Sequence, residues 1–554
     1  MLLIKFAVVV TIAPRLRSFY FLLFSAMKIR QPMLSIPERL TRTLRQPLWK
    51  KAVSSVLLMQ FAFWSLQVRG AVWDWDPAVS GGAALGGAGA WGDANVWWNG
   101  TSNASWNNLQ LNTARFSGAA GTVTLGAPFT VGGLTFTTNG YLLSGNTLTL
   151  AAPTGINSPI IAVNNFSGPS PLNRVTLSSL LAGSQGFTKT GNGTLVLTNS
   201  GNTISGDVSI KQGNVVITDQ AQLGTGTTAI SVTGIANTGN PGFSGGSLVL
   251  AGANAPLTMS REISVSGRGP GSANASGGLL SVGNNILNGN LVLASGATEG
   301  RATATHGMTT INGDVFLGSG GAQLLYGNGN WVINGQVTGF ENLGTDRFIK
   351  AGNIVGTTLW LANNANNYTQ GLRIDSGTVR VSDNGALGLN TSARSVDLNG
   401  GALEVHSDSP NFQTRNLYGR GTNAIVFVDR QLGGSGLNQT VQFGSVSADN
   451  ATFAINGRNG YNTIFNGSTG AGTTLSWAGA GNLTFNNNSS GTFTFNGNIA
   501  KNEATNARVL VFGGNGDSVL TGNLQQLNTG VDRLDKNGIG TLTLSYTGAA
   551  PAQP

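Results

Sequence analysis

The chain has 554 residues, of which 82 are glycine and none is cysteine, and only 10% are charged. So little charge argues against long surface helices, which are rich in Lys and Glu, and the lack of cysteine excludes a disulfide framework and a thiolate metal site. The net charge of +9 comes from the first 70 residues, with 11 Lys/Arg and one acidic residue. The rest has 31−11 = 20 basic and 22−1 = 21 acidic residues. A nucleic-acid partner is therefore not expected.

Residues 1–71 are predicted to form a leader that contains an extended bacterial signal peptide. Its basic region runs from Lys28 to Lys51, and an apolar run of 13 residues follows from Ala52 to Trp64. A transmembrane helix needs about 20 residues, so this run is too short to span a bilayer comfortably.

The limits of this leader can be read from the residues around it. We expect cleavage near Gly70 or Ala71. Residues 1–26 are interpreted as an over-extended start, because Met27 or Met33 could begin a conventional signal peptide.

The segment 72–111 holds six of the 11 tryptophans of the chain. One interpretation is a surface on which carbohydrate rings stack. The other, which we favour, is the core of a cap that closes the first coil of a repeat region against edge-to-edge aggregation. The six are Trp73, Trp75, Trp91, Trp97, Trp98 and Trp106.

Residues 112–554 are predicted to form one continuous β-solenoid. Two copies of a repeat occupy 187–224 and 348–388, and a truncated third copy occupies 534–548. Each copy has short apolar-alternating runs separated by Gly and Asn, which are turn residues. Strands this short must stack on their neighbours to bury their apolar faces, with coils of about 20 residues rising about 4.8 Å each.

The copies share the pattern K-x-G-x-G-T-L-x-L, an Asn/Gly turn, an alternating strand, G-x-(V/L)-x-(V/I) and a closing L-G. This pattern resembles the autotransporter-associated β-strand repeat family, and residues 112–150 resemble the amino-terminal module of such proteins. The resemblance implies a right-handed parallel β-helix, export across the inner membrane, a surface or extracellular site and no shared catalytic residues.

One departure concerns the carboxy-terminal outer-membrane barrel that follows autotransporter passengers, which needs many amphipathic strands of about 10 residues. The chain ends at Pro554, one strand into a repeat. The sequence is therefore expected to be a fragment that lacks a membrane-associating domain, or else the repeat occurs here without a barrel.

An enzyme must also be considered, because β-helices host polysaccharide lyases and hydrolases. A hydrolase needs two carboxylates a few ångströms apart. The pairs Asp74 with Asp76 and Asp532 with Asp535 are candidates, but both are expected to be solvated.

Other catalytic or metal-binding patterns are weaker still. His306 and His406 lie in settings typical of turns or strand surfaces. Residues 513–517 approach a calcium-binding repeat, but the motif is not iterated. We therefore predict no catalytic, cofactor-binding or metal-binding residue and no cofactor.

The sequence as a whole favours a secreted or surface-displayed structural or adhesive β-solenoid of a Gram-negative-type bacterium. Its partner would be an unknown surface or extracellular ligand, for which a glycan is one candidate. The alternative is a polysaccharide-binding or polysaccharide-degrading β-helix protein, motivated by the fold and the tryptophan cluster.

Overall fold

The structure is a computed structural model, and most residues from Gly70 onward are described. All described residues belong to one compact unit, Gln67–Pro554. The predicted leader up to residue 69 and Asp532 lie outside the described residues. The described ranges are 70–164, 174–233, 245–270, 277–294, 299–318, 322–339, 347–352, 356–369, 371–389, 396–412, 414–421, 423–449, 451–467, 474–477, 481–501, 509–522, 524–525 and 533–545.

The described chain consists almost entirely of short β-strands. The first group is β1 (Val72–Trp75), β2 (Gly89–Ala90), β3 (Trp97–Trp98), β4 (Asn103–Ala104), β5 (Thr113–Phe116), β6 (Thr122–Leu125), β7 (Phe129–Val131), β8 (Gly133–Phe136), β9 (Leu142–Gly145), β10 (Leu148–Leu150), β11 (Ile160–Val163), β12 (Arg174–Leu177), β13 (Leu181–Gly183), β14 (Phe187–Thr190), β15 (Thr194–Leu197), β16 (Thr203–Ile204), β17 (Val208–Ile210), β18 (Gly213–Ile217) and β19 (Ile230–Thr233).

The second group covers the middle of the chain. It is β20 (Gly246–Met259), β21 (Ile263–Ser266), β22 (Leu279–Leu287), β23 (Leu291–Ala294), β24 (Glu299–Ala304), β25 (Met308–Ile311), β26 (Val315–Leu317), β27 (Ala322–Gly327), β28 (Asn330–Ile333), β29 (Val337–Gly339), β30 (Arg347–Lys350), β31 (Thr358–Leu361), β32 (Gly371–Ile374), β33 (Thr378–Val381), β34 (Val396–Leu398), β35 (Ala402–His406), β36 (Asn411–Phe412), β37 (Leu417–Arg420) and β38 (Ala424–Asp429).

The last group is β39 (Thr440–Asp449), β40 (Thr452–Gly457), β41 (Asn462–Asn466), β42 (Thr474–Trp477), β43 (Leu483–Asn487), β44 (Phe493–Asn496), β45 (Asn498–Lys501), β46 (Val509–Gly513), β47 (Ser518–Leu520), β48 (Leu524–Gln525), β49 (Arg533–Lys536) and β50 (Leu542–Leu544). Two 3-10 helices interrupt the strands, at Gln220–Leu223 and Asn384–Leu387.

The strands pair with their counterparts one coil later and run parallel to them. One sheet has 13 strands, in which β5, β8, β11, β14, β17, β19, β21, β23, β26 and β29 succeed one another. Among the described strands, only β1 with β3 and β3 with β4 pair antiparallel. Parallel stacking of short strands in sequence order is a β-solenoid, so the predicted fold class is confirmed.

The core lies between the sheets and is built from ladders of apolar side chains. Leu195 lies opposite Val215, and Val215 lies opposite Leu248 in the following coil. All three side chains have no exposed surface. Burial of one such side chain contributes about 1.5–3 kcal/mol, and the alternation of buried and half-exposed residues along each strand follows from the period of two.

The coils are less regular than the expected length of about 20 residues. Parallel partners are 20 positions apart at Leu195 and Val215, but 32 apart at Phe453 and Phe485. The connections between the strands vary in length from coil to coil, because loops at the surface accept insertions.

Asparagine side chains stack on one another along the outside of the turns. Such stacking is expected where asparagine recurs at the same turn of successive coils. The Nδ2 atom of Asn312 donates to Oδ1 of Asn288 at 2.8 Å, and Nδ2 of Asn334 donates to Oδ1 of Asn312 at the same distance. Each amide thus bonds its counterpart one coil away, which fixes the register of the turns.

Candidate functional site

The repeat copies at 187–224 and 348–388 place the same polar residues at the same structural positions. Buried Asn202 accepts from the backbone N–H of Leu181 at 2.8 Å and donates to the carbonyl of Gln222 at 2.7 Å. Buried Asn366 makes the matching bonds, to Val337 and Ala386. Each of these asparagines joins three consecutive coils through its own amide, and both side chains are buried away from the surface.

The end of each copy is a short helix that the sequence pattern did not predict. Asp219 and Asp383 precede the two 3-10 helices and accept a hydrogen bond from the backbone N–H two residues on. Gly224 and Gly388 end the helices with φ of 85° and 77°. The closing L-G and the aspartate of the pattern therefore shape a turn.

The central glycine of the pattern, Gly213 in one copy and Gly377 in the other, adopts φ of 65° and 68°. A Cβ atom on Gly213 would lie 2.3 Å from the carbonyl oxygen of Gly193 in the preceding coil. Glycine is required here both for the left-handed backbone and for the close approach of two coils.

Replacing Gly213 with alanine is expected to destabilise the repeat by more than about 2 kcal/mol, through backbone strain and overpacking. The difference in thermal unfolding midpoint between the wild type and Gly213→Ala measures this destabilisation. Gly126→Ala is the matched control, since nothing lies within 4 Å of its added Cβ. An equal effect of both substitutions would contradict the role given to Gly213.

The lysine of the pattern is buried. Lys189 has no exposed surface, and its Nζ donates to the carbonyls of Thr190, Gly191 and Gln212 at 2.8, 2.7 and 3.0 Å. Lys350 is equally buried, and its Nζ lies 3.0 Å from the Thr357 hydroxyl. Burial lowers the pKa of Lys189 to about 7 and that of Lys350 to about 8.

The corresponding Lys536 in the third copy is exposed, and its Nζ donates to the carbonyls of Asn537 and Gly538. The hydrogen bonds from the lysine to the carbonyls of the residues just after it therefore form in this copy as well. Lys189 has a third partner, because its Nζ also donates to the carbonyl of Gln212 in the next coil. The lysine therefore links successive coils and is not a free nucleophile.

Sequence reasoning missed two buried arginines that bind the 3-10 helices. Arg261 donates to the carbonyls of Thr228 and Leu223, and Arg415 donates to those of Asn384, Leu387 and Gly388. Arg261 follows Leu223 by 38 positions and Arg415 follows Leu387 by 28. Because this spacing differs between the copies, no fixed pattern could have revealed them.

Most of the tryptophan cluster is buried. Trp75, Trp91 and Trp97 have no exposed surface and Trp73 is 8% exposed, whereas Trp98 is half-buried. The rings pack on one another, with 4.6 Å between the centroids of Trp91 and Trp97. This burial favours the interpretation as a packed core over the one as a carbohydrate-stacking surface.

The expectation that Asp74 and Asp76 are solvated is wrong. Asp74 is 5% exposed and binds the Arg115 guanidinium through both oxygens, at 2.5 and 2.7 Å. Asp76 is fully buried. Burial raises its pKa, but hydrogen bonds from Ser80, Asn103 and Gly82 outweigh that effect and hold the pKa below the usual value. Both carboxylates are engaged, because Asp74 meets Arg115 on the parallel neighbouring strand β5 and Asp76 accepts from the turn that follows it.

Asp74→Asn is expected to cost about 1–3 kcal/mol, because it leaves a guanidinium with a weaker partner. The cost is smaller than for a fully buried pair, since the Arg115 side chain is 43% exposed. The thermal midpoint gives the effect. The control is Asp535→Asn, which breaks a pair with a 69% exposed Arg533 and should change little.

The two histidines have different environments. His306 is exposed in a bend, as expected. His406 is only 7% exposed, which corrects the expectation of a surface position. Its Nδ1 lies 3.3 Å from the carbonyl of Arg430, and its Nε2 lies 3.5 Å from the Glu404 carboxylate. It lies at the end of β35 and packs against Phe427 of β38, with 5.5 Å between ring centroids.

The described residues contain no group of three or more acidic, histidine or cysteine side chains that could hold a metal ion. Asp517, the last residue of the segment 513–517, accepts from the backbone N–H of Thr541 at 2.8 Å and so supports the next coil. Among the same residues, no helix has the length and apolar character needed to cross a membrane.

An open cleft of about 800 Å³ lies beside β1 and is lined by uncharged residues. Its lining includes buried Trp73 and buried Asn112, whose amide accepts from the backbone N–H of Ala71 and donates to Gln110 Oε1. With no titratable side chain in its lining, the cleft supplies neither an acid nor a base for catalysis.

The outer face of one sheet carries a straight row of four larger side chains, which we call the outer row. It consists of Trp360, Arg380, Glu404 and Phe427, which are register partners across β31, β33, β35 and β38. All four are half-buried, and the residues beside them point into the core. Arg380 Nε donates to Glu404 Oε2 at 2.9 Å.

Comparison with known proteins gives one informative match among curated proteins. The chain is 30% identical over 409 residues to the adhesin BmaC autotransporter of Brucella suis biovar 1 (strain 1330). The aligned part is 67% of this chain but only about 11% of that protein's length. No protein-family model matches, and no solved structure matches. The chain is a β-solenoid repeat protein similar to part of an autotransporter adhesin.

Proposed function

We propose that the protein is a secreted or surface-displayed structural and adhesive β-solenoid of a Gram-negative-type bacterium, without catalytic activity. The observation that carries this proposal is the similarity to an adhesin over two thirds of the chain, together with a fold in which repeat residues build coils. We also propose that the copies belong to the autotransporter-associated β-strand repeat family, that residues 72–111 form a cap and that residues 1–71 direct export.

The absence of catalysis is supported by how the candidate groups are used. Asp74 and Asp76 hold hydrogen bonds within the protein, and the pattern lysine Lys189 is buried and enclosed by three carbonyls. An extended surface built by repetition is well suited to adhesion, because many weak contacts add up along it.

Adhesion can be tested with the full gene expressed in a Gram-negative host, with the exported protein purified and coupled to beads. We expect the beads to be retained on cultured epithelial cells or on immobilised polysaccharide. Retention no greater than that of beads carrying an unrelated exported protein would contradict the adhesive role.

Catalysis has a separate test. Incubating the protein with neutral and acidic polysaccharides should produce no new reducing or unsaturated ends. Their appearance would instead support the polysaccharide-degrading alternative.

A further inference from the structure

We propose that the outer row of Trp360, Arg380, Glu404 and Phe427 binds a neutral linear oligosaccharide that lies across the strands. This inference rests on the proposed adhesive function and names a site and a ligand class for it.

The ends of the outer row are aromatic and reach the surface. Trp360 and Phe427 are three strands apart, which corresponds to about 14 Å at the spacing of strands in a sheet. The face of an aromatic ring carries negative charge density and attracts the C–H groups of a pyranose ring. A ligand that contacts both rings must therefore be a chain of several sugars.

The middle of the outer row offers hydrogen-bonding groups of both kinds. Arg380 donates to Glu404 through Nε alone, and its two terminal nitrogens have no partner among the described residues. Glu404 Oε2 accepts from Arg380 and lies 3.5 Å from His406 Nε2, and its Oε1 has no partner in the described part of the chain. Free donors next to a free acceptor match the neighbouring hydroxyls of a sugar, each of which donates and accepts.

The hydrogen-bonding pair is held in place by its surroundings. The side chains of Arg380 and Glu404 are only 28% and 23% exposed. His406 Nε2 lies 3.5 Å from the Glu404 carboxylate and its ring packs against Phe427, while the Arg458 guanidinium lies 5.7 Å from the Phe427 ring centroid. A site whose groups are fixed before binding loses little entropy on binding.

The charge of the outer row indicates a neutral ligand. Arg380 and Glu404 cancel each other, so the outer row has no excess charge to attract a polyanion or a polycation. The four residues come from separate coils, which explains why no linear motif marks them.

The test is calorimetric titration of the exported full-length protein with cellohexaose, maltohexaose, laminarihexaose and chitohexaose, with hexagalacturonate as a charged probe. We expect at least one neutral hexasaccharide to bind, and hexagalacturonate to bind at least 10-fold more weakly. Trp360→Ala and Phe427→Ala should each weaken the binding at least 10-fold, and Glu404→Gln should weaken it similarly while keeping the side-chain volume.

Phe316→Ala is the matched control, because Phe316 is 37% exposed on the outer face of β26, in a different sheet. It should leave the affinity unchanged. The proposal is overturned if no neutral probe binds, if the outer-row variants bind like the wild type, or if Phe316→Ala loses as much affinity. If the protein-coated beads still adhere when the oligosaccharide proposal fails, the adhesive function remains supported. If the beads do not adhere at all, both the adhesive function and the oligosaccharide site are contradicted.

Discussion

Replacing Lys189 with methionine is expected to remove much of the increase in stability that the wild-type protein shows between pH 7 and pH 9.5. Burial lowers the pKa of this lysine from 10.5 to about 7. Between these values the unfolded chain binds more protons than the folded one, so the free energy of unfolding rises with pH. Below about pH 7 both states are charged, and the cost of burying the ammonium group is fully present.

The expected size of this effect is ~3 kcal/mol over 2.5 pH units, since each unit corresponds to about 1.4 kcal/mol. Lys350, with a pKa of about 8, contributes a smaller rise over the same range. The range stops at pH 9.5, because burial raises the pKa of Tyr141 to about 12 and tyrosine ionisation then lowers stability above pH 10.

The measurement is the free energy of unfolding in denaturant at several pH values, for the wild type, Lys189→Met and the double variant with Lys350→Met. The pH slope should fall in the single variant and nearly vanish in the double one. Lys211→Met is the matched control, because Lys211 is an exposed lysine just after the same strand stack. If the free energy of unfolding of the double variant still rises with pH as in the wild type, the role assigned to the buried lysines is contradicted.

The class of fold could be predicted because strand and turn signals are local. The T-L-x-L runs of the two copies are β15 and β31, and the segments after the central glycines are β18 and β33. Alternation of apolar residues over a few positions is enough to define such a strand. The need to bury one-sided strands then leaves stacking as the solution.

What could not be predicted depends on contacts between coils. A lysine within a strand reads as a surface residue, and only the carbonyl of Gln212, 23 positions further on, shows why Lys189 is buried. The same holds for Asp74, whose partner Arg115 lies 41 positions away. Because connections vary from coil to coil, the sequence does not state which residues of two coils meet.

The antiparallel strands at the start of the solenoid were also missed, and they explain the tryptophan cluster. β1 pairs with β5 on one side and with β3 on the other, so β3 covers the edge that β1 would otherwise expose. β3 is followed by β4, which has two residues. A short, antiparallel edge protects a sheet from pairing with other chains, and the buried tryptophans hold this edge in place.

Trp97→Ala is therefore expected to destabilise the start of the solenoid by about 3–5 kcal/mol. The Trp97 ring lies within 4.6 Å of the centroids of Trp91 and Trp106, and its Nε1 donates to the carbonyl of Trp91 at 3.1 Å. Removing the ring opens a cavity among side chains that have little freedom to collapse. Trp98→Ala is the matched control, because Trp98 is the next residue and is half-buried on the opposite face of β3.

The decisive measurement is hydrogen exchange, because stability in a solenoid is carried by each coil and its neighbours. In Trp97→Ala, the amides of β1, β5 and β8 should exchange faster while those of β43 and β46 keep their protection. The variant should also aggregate at concentrations at which the wild type and Trp98→Ala remain soluble, since the edge of β1 is then free to pair. Uniform loss of protection along the chain, or equal effects of the two tryptophan substitutions, would mean that residues 72–111 do not act as a cap.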